Sequence, residues 1–281
     1  MNTDELDQII KDYLTAIDTD YAIMVSGDWG SGKSYYITHI LSPQLKSIFL
    51  PAIKGEYKRT WLGNNKKRYY SLAYISLYGL SSVVDFEVRV FNGINSWINH
   101  RLIRTLGLLG SKAGEYFGVS LWEKDAKAVT FIGSDRVLVF DDLERICEDK
   151  ISVKEVLGLI NSYAEHSHLK VIIVCNEKHF LVDGEDNKAQ TDYQTYKEKC
   201  VRFTYKFVPD VSVVYDAIIN KIGNGEYKSY LLKEKTTLLS LFDVGGKRNL
   251  RTLKFIIDSF EKIYLLSHYS KYKEKVFRTC L

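Results

Sequence analysis

Proline is nearly absent from the chain: three residues, Pro43, Pro51 and Pro209, among 281. That excludes collagen-like, mucin-like and proline-rich linker architectures. Cysteine is equally scarce. Cys147, Cys175, Cys200 and Cys280 stand far apart, with no C-x-x-C pair and no matching histidine spacing, which argues against both a disulfide framework and a zinc site. No apolar run approaches the roughly 18 residues that span a bilayer. The longest candidate, 102–122, is interrupted by Arg104, Lys112, Glu115 and several glycines. The opening residues Asn2 to Leu6 are acidic and lack the basic and apolar regions of a signal peptide. A formal net charge of +4 gives no polyelectrolyte surface that would dictate nucleic acid or membrane as partner. A cytoplasmic, globular chain with one large domain and a small appendage is therefore expected, and its 18 glycines need local explanations.

Hydrophobic periodicity supplies the elements. Leu6, Ile9, Ile10, Tyr13, Leu14 and Ile17 share one helical face behind Asn2 or Thr3 as cap. Continuous apolar runs at 21–25, 137–140 and 171–175 read as strands covered on both faces, and 68–77 as a further strand. Helices are predicted from Gly32 to before Pro43, over 83–100 and over 152–166. The stretch 107–134 reads as irregular, 183–194 as a polar loop and 200–208 as a last strand ended by Pro209. Beyond it only helical patterns remain: 211–222, 228–242 and 248–267, the last with Leu250, Leu253, Ile257, Phe260 and Leu265 on one stripe. Strand–helix–strand with wholly apolar strands predicts an α/β fold, a mostly parallel sheet in a three-layer α/β/α core, followed by a small C-terminal helical lid. The expected division is a core over 1–208, with an N-terminal helix and an insertion around 80–134, and a lid lobe over 209–281.

Directly after the first strand stands Gly27-Asp28-Trp29-Gly30-Ser31-Gly32-Lys33-Ser34, which fits G-x4-G-K-[ST], the P-loop. Glycines at this spacing let successive N–H groups converge on an anion, and the helix that follows adds its positive end. The nucleotide-binding candidates are Gly27, Asp28, Trp29, Gly30, Ser31, Gly32, Lys33, Ser34 and Tyr35. Lys33 would reach the β- and γ-phosphates, and the Ser34 hydroxyl would ligate Mg²⁺. The strand 137–140 runs into Asp141-Asp142. At the carboxyl edge of a parallel sheet, Asp141 would hold Mg²⁺ through water, and Asp142 would orient or deprotonate the attacking water, with Glu144 close by as a competing base. Asn176, ending the strand 171–175, reads either as a contact to the γ-phosphate or its water, or as an ordinary strand-ending turn residue. Arg251, in Gly245-Gly246-Lys247-Arg248-Asn249-Leu250-Arg251, is either the phosphate sensor of a second lobe or part of a solvated basic helix start, with the glycine pair as hinge.

The loop Gly27–Ser34 and the run Phe140-Asp141-Asp142-Leu143-Glu144-Arg145 together resemble the KAP P-loop NTPases, a STAND-type branch with G-x-W-G-S-G-K-[ST] and D-D-L-[DE]-R motifs. The run Tyr196–Val201 into Phe207-Val208-Pro209 looks like the last core strand of that family. Asn249-Leu250-Arg251-Thr252-Leu253-Lys254 resembles its N-P-R-x-L-K segment, with Leu250 in place of the usual proline. The resemblance implies Asn176 as sensor, Arg251 as lid arginine, and a slow or partner-stimulated ATP hydrolase acting as a switch, of the kind often found in bacterial anti-phage defence or signalling. It also implies ATP rather than GTP, in keeping with the lack of a guanine-reading N-K-x-D motif. Many members carry membrane helices between the two motifs and continue into a long effector region. Neither is expected here.

A second reading comes from Lys54, Lys58, Arg59, Lys66, Lys67 and Arg68, interleaved with Tyr57, Trp61, Tyr69 and Tyr70. Cations beside stacking aromatics suit single-stranded nucleic acid, although a solvated loop entering a strand explains the same letters. Arg145 reads either as a finger toward a neighbouring subunit or, more simply, as a structural ion pair beside Glu144. Self-association, or a protein partner docking through the lid, completes the expected partners. A small-molecule kinase is disfavoured, because paired aspartates followed by a helical lobe suit hydrolysis and sensing.

Overall fold

The structure, a computed structural model, describes residues 3–17, 19–48, 69–94, 135–181, 187–244 and 249–267. Its contacts divide the chain into two compact units. One holds Asp4–Gly27 and Ser34–Lys206; the other holds Asp28–Lys33 and the chain from Phe207 onward.

In the first unit, helix α1 (Thr3–Thr15) leads into β1 (Ala22–Ser26), and α2 (33–45) enters this unit at Ser34. Strand β2 (Ser71–Ser76), helix α3 (Val83–Ile94), β3 (Arg136–Asp141), α4 (Val153–Asn161), β4 (Lys170–Cys175), α5 (Asn187–Cys200) and β5 (Val201–Lys206) follow. The five strands form one sheet in the order β2-β3-β4-β1-β5, with every neighbouring pair parallel. The registers place Ser26 beside Cys175, and Asp141 beside both Val174 and Ser76, so these carboxyl ends share one edge.

Both faces of the sheet are covered, as wholly apolar strands require. Met24, Ile75, Phe140 and Ile173 belong to a buried cluster with Phe86 and Val90 of α3, Val156, Leu157 and Ile160 of α4, and Tyr193 of α5. The intervening Ile23, Val25, Val139, Ile172 and Val174 are equally buried but lie outside that cluster. Their side of the sheet is the one that α1 and α2 cover, with Leu6, Ile10, Leu14, Ile37 and Leu41 fully buried. The expected three-layer α/β/α arrangement is found.

Helix α1 ends without a basic residue of its own in the last turn. Lys170, buried at the start of β4, supplies the missing cation. Its Nζ donates to Tyr13 O (2.9 Å), Ala16 O (2.8 Å) and Thr19 Oγ1 (2.7 Å), satisfying carbonyls that a helix C-terminus leaves unpaired. Lys170→Met keeps the aliphatic stem and deletes these bonds. The expected result is a loss of about 3 kcal/mol in unfolding free energy, measured by chemical denaturation. A loss below about 1 kcal/mol would show the cap to be incidental.

The second unit carries α6 (Val211–Ile219), α7 (Gly225–Lys233), α8 (Lys235–Val244) and α9 (Leu250–Ser267). They converge on Tyr215, Ile219, Tyr227, Leu231, Leu238, Leu253, Ile257 and Phe260. Tyr215 OH donates to Leu231 O and Tyr227 OH to Ile257 O, so the buried phenols are satisfied.

Several sequence expectations need correction. Helix α2 does not stop before Pro43. It runs α-helical over Lys33–Tyr35, widens to a π-helix over Tyr36–Leu41 and resumes over Ser42–Leu45. The wide turn re-sets the ladder, so Pro43 sits in a new first turn where its missing N–H costs nothing. The polar stretch expected as a loop over 183–194 is helical from Asn187, in α5. Its buried residues, Tyr193 and Cys200, lie seven apart on one stripe. The single helix expected over 228–242 is two: Glu234 leaves α geometry (φ −91°, ψ 9°) and joins α7 to α8. Ile17 lies beyond the end of α1 and is exposed, and Leu265 is exposed while Tyr264 turns inward. Residues 95–134 of the expected insertion, the glycine pair 245–246 and the basic stretch 54–68 lie outside the described residues. Tyr70, from the end of that stretch, is a core residue whose hydroxyl donates to Leu14 O at 2.8 Å.

Candidate nucleotide site

In the sheet-bearing unit, the β1–β4 ladder continues one bond past the strand end, from Gly27 N–H to Cys175 O at 3.1 Å. Ser34, in the first turn of α2, donates from Oγ to Asp141 Oδ2 at 2.5 Å. Tyr74 of β2 donates from its hydroxyl to the same oxygen, also at 2.5 Å. Asp141 Oδ1 accepts the Asp142 N–H at 2.8 Å. The carboxylate of Asp141 is buried and engaged at both oxygens.

Asp142 is a non-glycine residue in the left-handed region, with φ 62° and ψ 36°, a conformation costing about 1–2 kcal/mol. The surroundings impose it: Leu77 N–H holds Asp141 O, and Arg145 N–H closes a turn onto Asp142 O. Ser76 Oγ donates to Asp142 Oδ2 at 3.3 Å, and Arg145 Nε lies 3.5 Å from Oδ1. Arg145, expected beside Glu144, thus reaches Asp142, and its guanidinium also covers the Tyr78 ring at 5.6 Å. Desolvation, reinforced by the charge of Asp141, pushes the Asp142 carboxyl above the usual carboxylate range, and Arg145 opposes that shift. Burial first, then the neighbouring Asp141 charge, raises the Tyr74 phenol as well, so Tyr74 keeps its proton.

Asn176 follows the last residue of β4, the strand lying between β1 and β3. Its Oδ1 is buried and has no hydrogen-bond donor among the described residues. A buried acceptor without a donor at a strand's carboxyl end suits a bound water or ligand group. Tyr35 is exposed and stacks on His39, ring centroids 4.4 Å apart and 9° from parallel.

In the second unit, the loop Asp28–Lys33 turns through Gly30 (φ +75°) and Gly32 (φ +93°), conformations that glycine adopts freely. Ser31 N–H donates to Asp28 O at 3.2 Å. Lys33 Nζ, buried, donates to the same carbonyl at 3.0 Å. Trp29 is half exposed. Ser31 Oγ is buried without a partner among the described residues.

The first turn of α9 packs directly on this loop. Asn249 Oδ1 caps the helix, accepting from Arg251 N–H (3.0 Å) and Thr252 N–H (3.3 Å). Leu250 N–H donates to Gly30 O at 2.8 Å. A Cβ at Gly30 would lie 1.9 Å from Asn249 Oδ1, and one at Gly32 would lie 3.1 Å from Leu250 Cδ1. Arg251 is exposed, and its guanidinium has no partner among the described residues.

Gly30→Ala is therefore expected to cost about 2–3 kcal/mol, left-handed strain plus a displaced cap. Adding Asn249→Ala removes the clash, so the double variant should lose at least about 1 kcal/mol less than the two singles summed. Additive losses in chemical denaturation would refute the contact.

Two features escape sequence reading. Tyr74 and Ser76 alternate on one face of β2, polar residues in a strand whose other face is core. That alternation was the available signal. Asn249 shows in sequence only as the first residue of the segment resembling N-P-R-x-L-K, and nothing there reveals its contact with Gly30.

A parallel sheet with this loop after β1 and paired aspartates at the carboxyl end of β3 defines a P-loop NTPase, a nucleotide-binding protein. The model of the KAP family P-loop domain matches residues 125–267. The chain belongs to the KAP family. The matched span runs from before β3 to the end of α9 and includes Asp141, Asp142, Asn176 and Arg251, whereas Gly27–Ser34 precede it. Among solved structures, the chain is similar to Cdc6p from Pyrobaculum aerophilum, with a TM-score of 0.37 and 13% identity over 78% of this chain and 47% of that one. The chain thus spans about half the length of that protein. Comparison with curated proteins finds no match. Among the described residues, no helix is long and apolar enough to cross a membrane.

Proposed function

We propose that the chain is a Mg²⁺-dependent, ATP-binding and slowly ATP-hydrolysing switch module. The observation that carries this reading is the 2.5 Å hydrogen bond from Ser34 Oγ to Asp141 Oδ2, which joins the last residue of the G-x4-G-K-[ST] loop to the carboxylate that ends β3. A hydroxyl and a carboxylate so paired are the oxygen donors that a hard cation selects.

Gly27 to Ser34, with Tyr35, would hold the phosphates through backbone N–H groups, Lys33 adding its charge at the β- and γ-phosphates. Ser34 and Asp141 would hold Mg²⁺, directly and through water. The bound cation would neutralise charge developing on the phosphate oxygens. Asp142 orients the attacking water and takes its proton as the water oxygen bonds to the γ-phosphorus and the bond to the β-bridging oxygen breaks, leaving ADP and phosphate. Asn176 Oδ1, the acceptor without a donor, receives the water's other hydrogen. Arg251 senses the γ-phosphate. The engagement of Asp142 by Arg145 and Ser76 favours slow turnover that a partner accelerates.

The output is then a change in the helical lobe (209–281 by sequence) or assembly with other copies or a protein partner, in cytoplasmic anti-phage defence or signalling as the family resemblance suggests. The nucleic-acid alternative gains no supporting observation, since its cations lie outside the described residues and Tyr70 is core.

The test is binding and turnover of ATP by the purified chain with Mg²⁺ or EDTA, and with or without single-stranded DNA. Mg²⁺-tightened binding with slow turnover is expected. No ATP binding in any condition would overturn the reading, and turnover that requires DNA would favour the alternative.

A further inference from the structure

Tyr74 contributes nothing to any recognised phosphate motif, yet its hydroxyl lies 2.5 Å from Asp141 Oδ2, the oxygen that Ser34 also reaches at 2.5 Å. Strand register explains the reach. Tyr74 pairs with Val139 on β3, and its phenol reaches along the ladder to the carboxylate two residues further on, at the strand's last residue. The neighbours of Tyr74 on the opposite face, Ala73 and Ile75, belong to the core, which fixes the backbone from which the ring projects. A tyrosine has only two side-chain torsions, so its hydroxyl is a stiff post against which a carboxylate can rest. With Asp142 N–H on Oδ1 at 2.8 Å, Asp141 is held at both ends.

We propose that Tyr74 is a positioning residue of the magnesium site, fixing Asp141 so that Oδ2 stays directed at Ser34 when the Ser34 oxygen turns its lone pair to the cation. The proposal rests on the reading of Ser34 and Asp141 as the cation's holders. Ser34 can keep its proton on Asp141 while its oxygen ligates the cation, so the aim of that oxygen depends on how firmly Asp141 is held, and Tyr74 supplies that hold. Partners that orient ligands in this way typically govern metal affinity by ten- to a hundredfold.

The experiment is an equilibrium titration of Mn²⁺, followed by electron paramagnetic resonance, into the full chain saturated with a non-hydrolysable ATP analogue. Tyr74→Phe deletes one oxygen and leaves the ring. The expected result is metal binding weakened about tenfold or more, with affinity for the metal-free analogue in EDTA within about twofold of the unaltered chain. Unchanged metal affinity overturns the proposal. So does an equal loss of metal-free affinity, which would make Tyr74 a general support of the loop. Ser34→Ala separates this failure from that of the underlying reading. If the unaltered chain and Ser34→Ala bind the metal alike, the assignment of Ser34 and Asp141 falls, and Tyr74 with it. If Ser34→Ala is weakened and Tyr74→Phe is not, the role of Tyr74 alone is lost.

Discussion

Asp142→Asn is expected to bind Mg-ATP as tightly as the unaltered chain and to hydrolyse it about a hundredfold or more slowly. A positioned general base contributes roughly 10²–10⁴ in rate, and an amide cannot accept the water's proton. The substitution isolates that loss unusually well here. Asp142 has φ 62°, and asparagine is the side chain that best tolerates the left-handed region after glycine. Alanine at the same position would mix lost chemistry with backbone strain. The bond from Ser76 Oγ survives in the amide, whose oxygen still accepts it. Single-turnover hydrolysis measured beside equilibrium binding of a fluorescent ATP analogue makes the distinction. A drop of less than about threefold would remove Asp142 from the role of base and pass it to Glu144.

Lys33→Ala should have the other large effect, at an earlier stage. The Lys33 ammonium is buried and rests 3.0 Å from Asp28 O, inside the loop whose phosphates it would contact. A side chain held in this way within the loop has little ordering left to be done on binding. Removing it deletes the one cation within the loop sequence, and ATP affinity should fall about a hundredfold or more. Turnover should then be undetectable at any ordinary nucleotide concentration. Arginine should not rescue it, because a planar fork cannot occupy the place of a compact ammonium at the end of a flexible stem. Titration of the same fluorescent analogue against Lys33→Ala and Lys33→Arg checks both statements. Near-normal affinity in either variant would contradict the assignment.

What the sequence made legible follows from where its constraints are local. The runs 22–25, 137–140 and 171–175 inside β1, β3 and β4 are apolar throughout because helices cover both faces, so they can be read without knowing what lies on either side. The glycine loop and the paired aspartates were likewise contiguous. The failures occur where a distant contact decides. Pro43 looked like a stop, because the π-helix that accommodates it leaves no mark in composition. Helix α5 looked like a loop, because only a narrow stripe through Tyr193 and Cys200 is buried and the rest of its surface is solvated. The break at Glu234 was hidden because Leu231 and Leu238 on its two sides enter the same cluster, which preserves the periodicity. Tyr74 was missed because its partner lies 67 residues away in sequence.

The hydrogen bond from Leu250 N–H to Gly30 O has a mechanical meaning. The related motif carries proline at this position, which has no N–H to give. This chain therefore has a backbone tether where a proline would leave only packing. The tether sits at the very end of an 18-residue helix, a rod of about 27 Å at 1.5 Å per residue. Tied at its first turn to the glycine loop and packed through Leu253, Ile257 and Phe260 into the helical core, α9 joins the one to the other. A tilt of a few degrees where Leu250 meets Gly30 would move the far end of the rod by about 2 Å, which is enough to change what packs there.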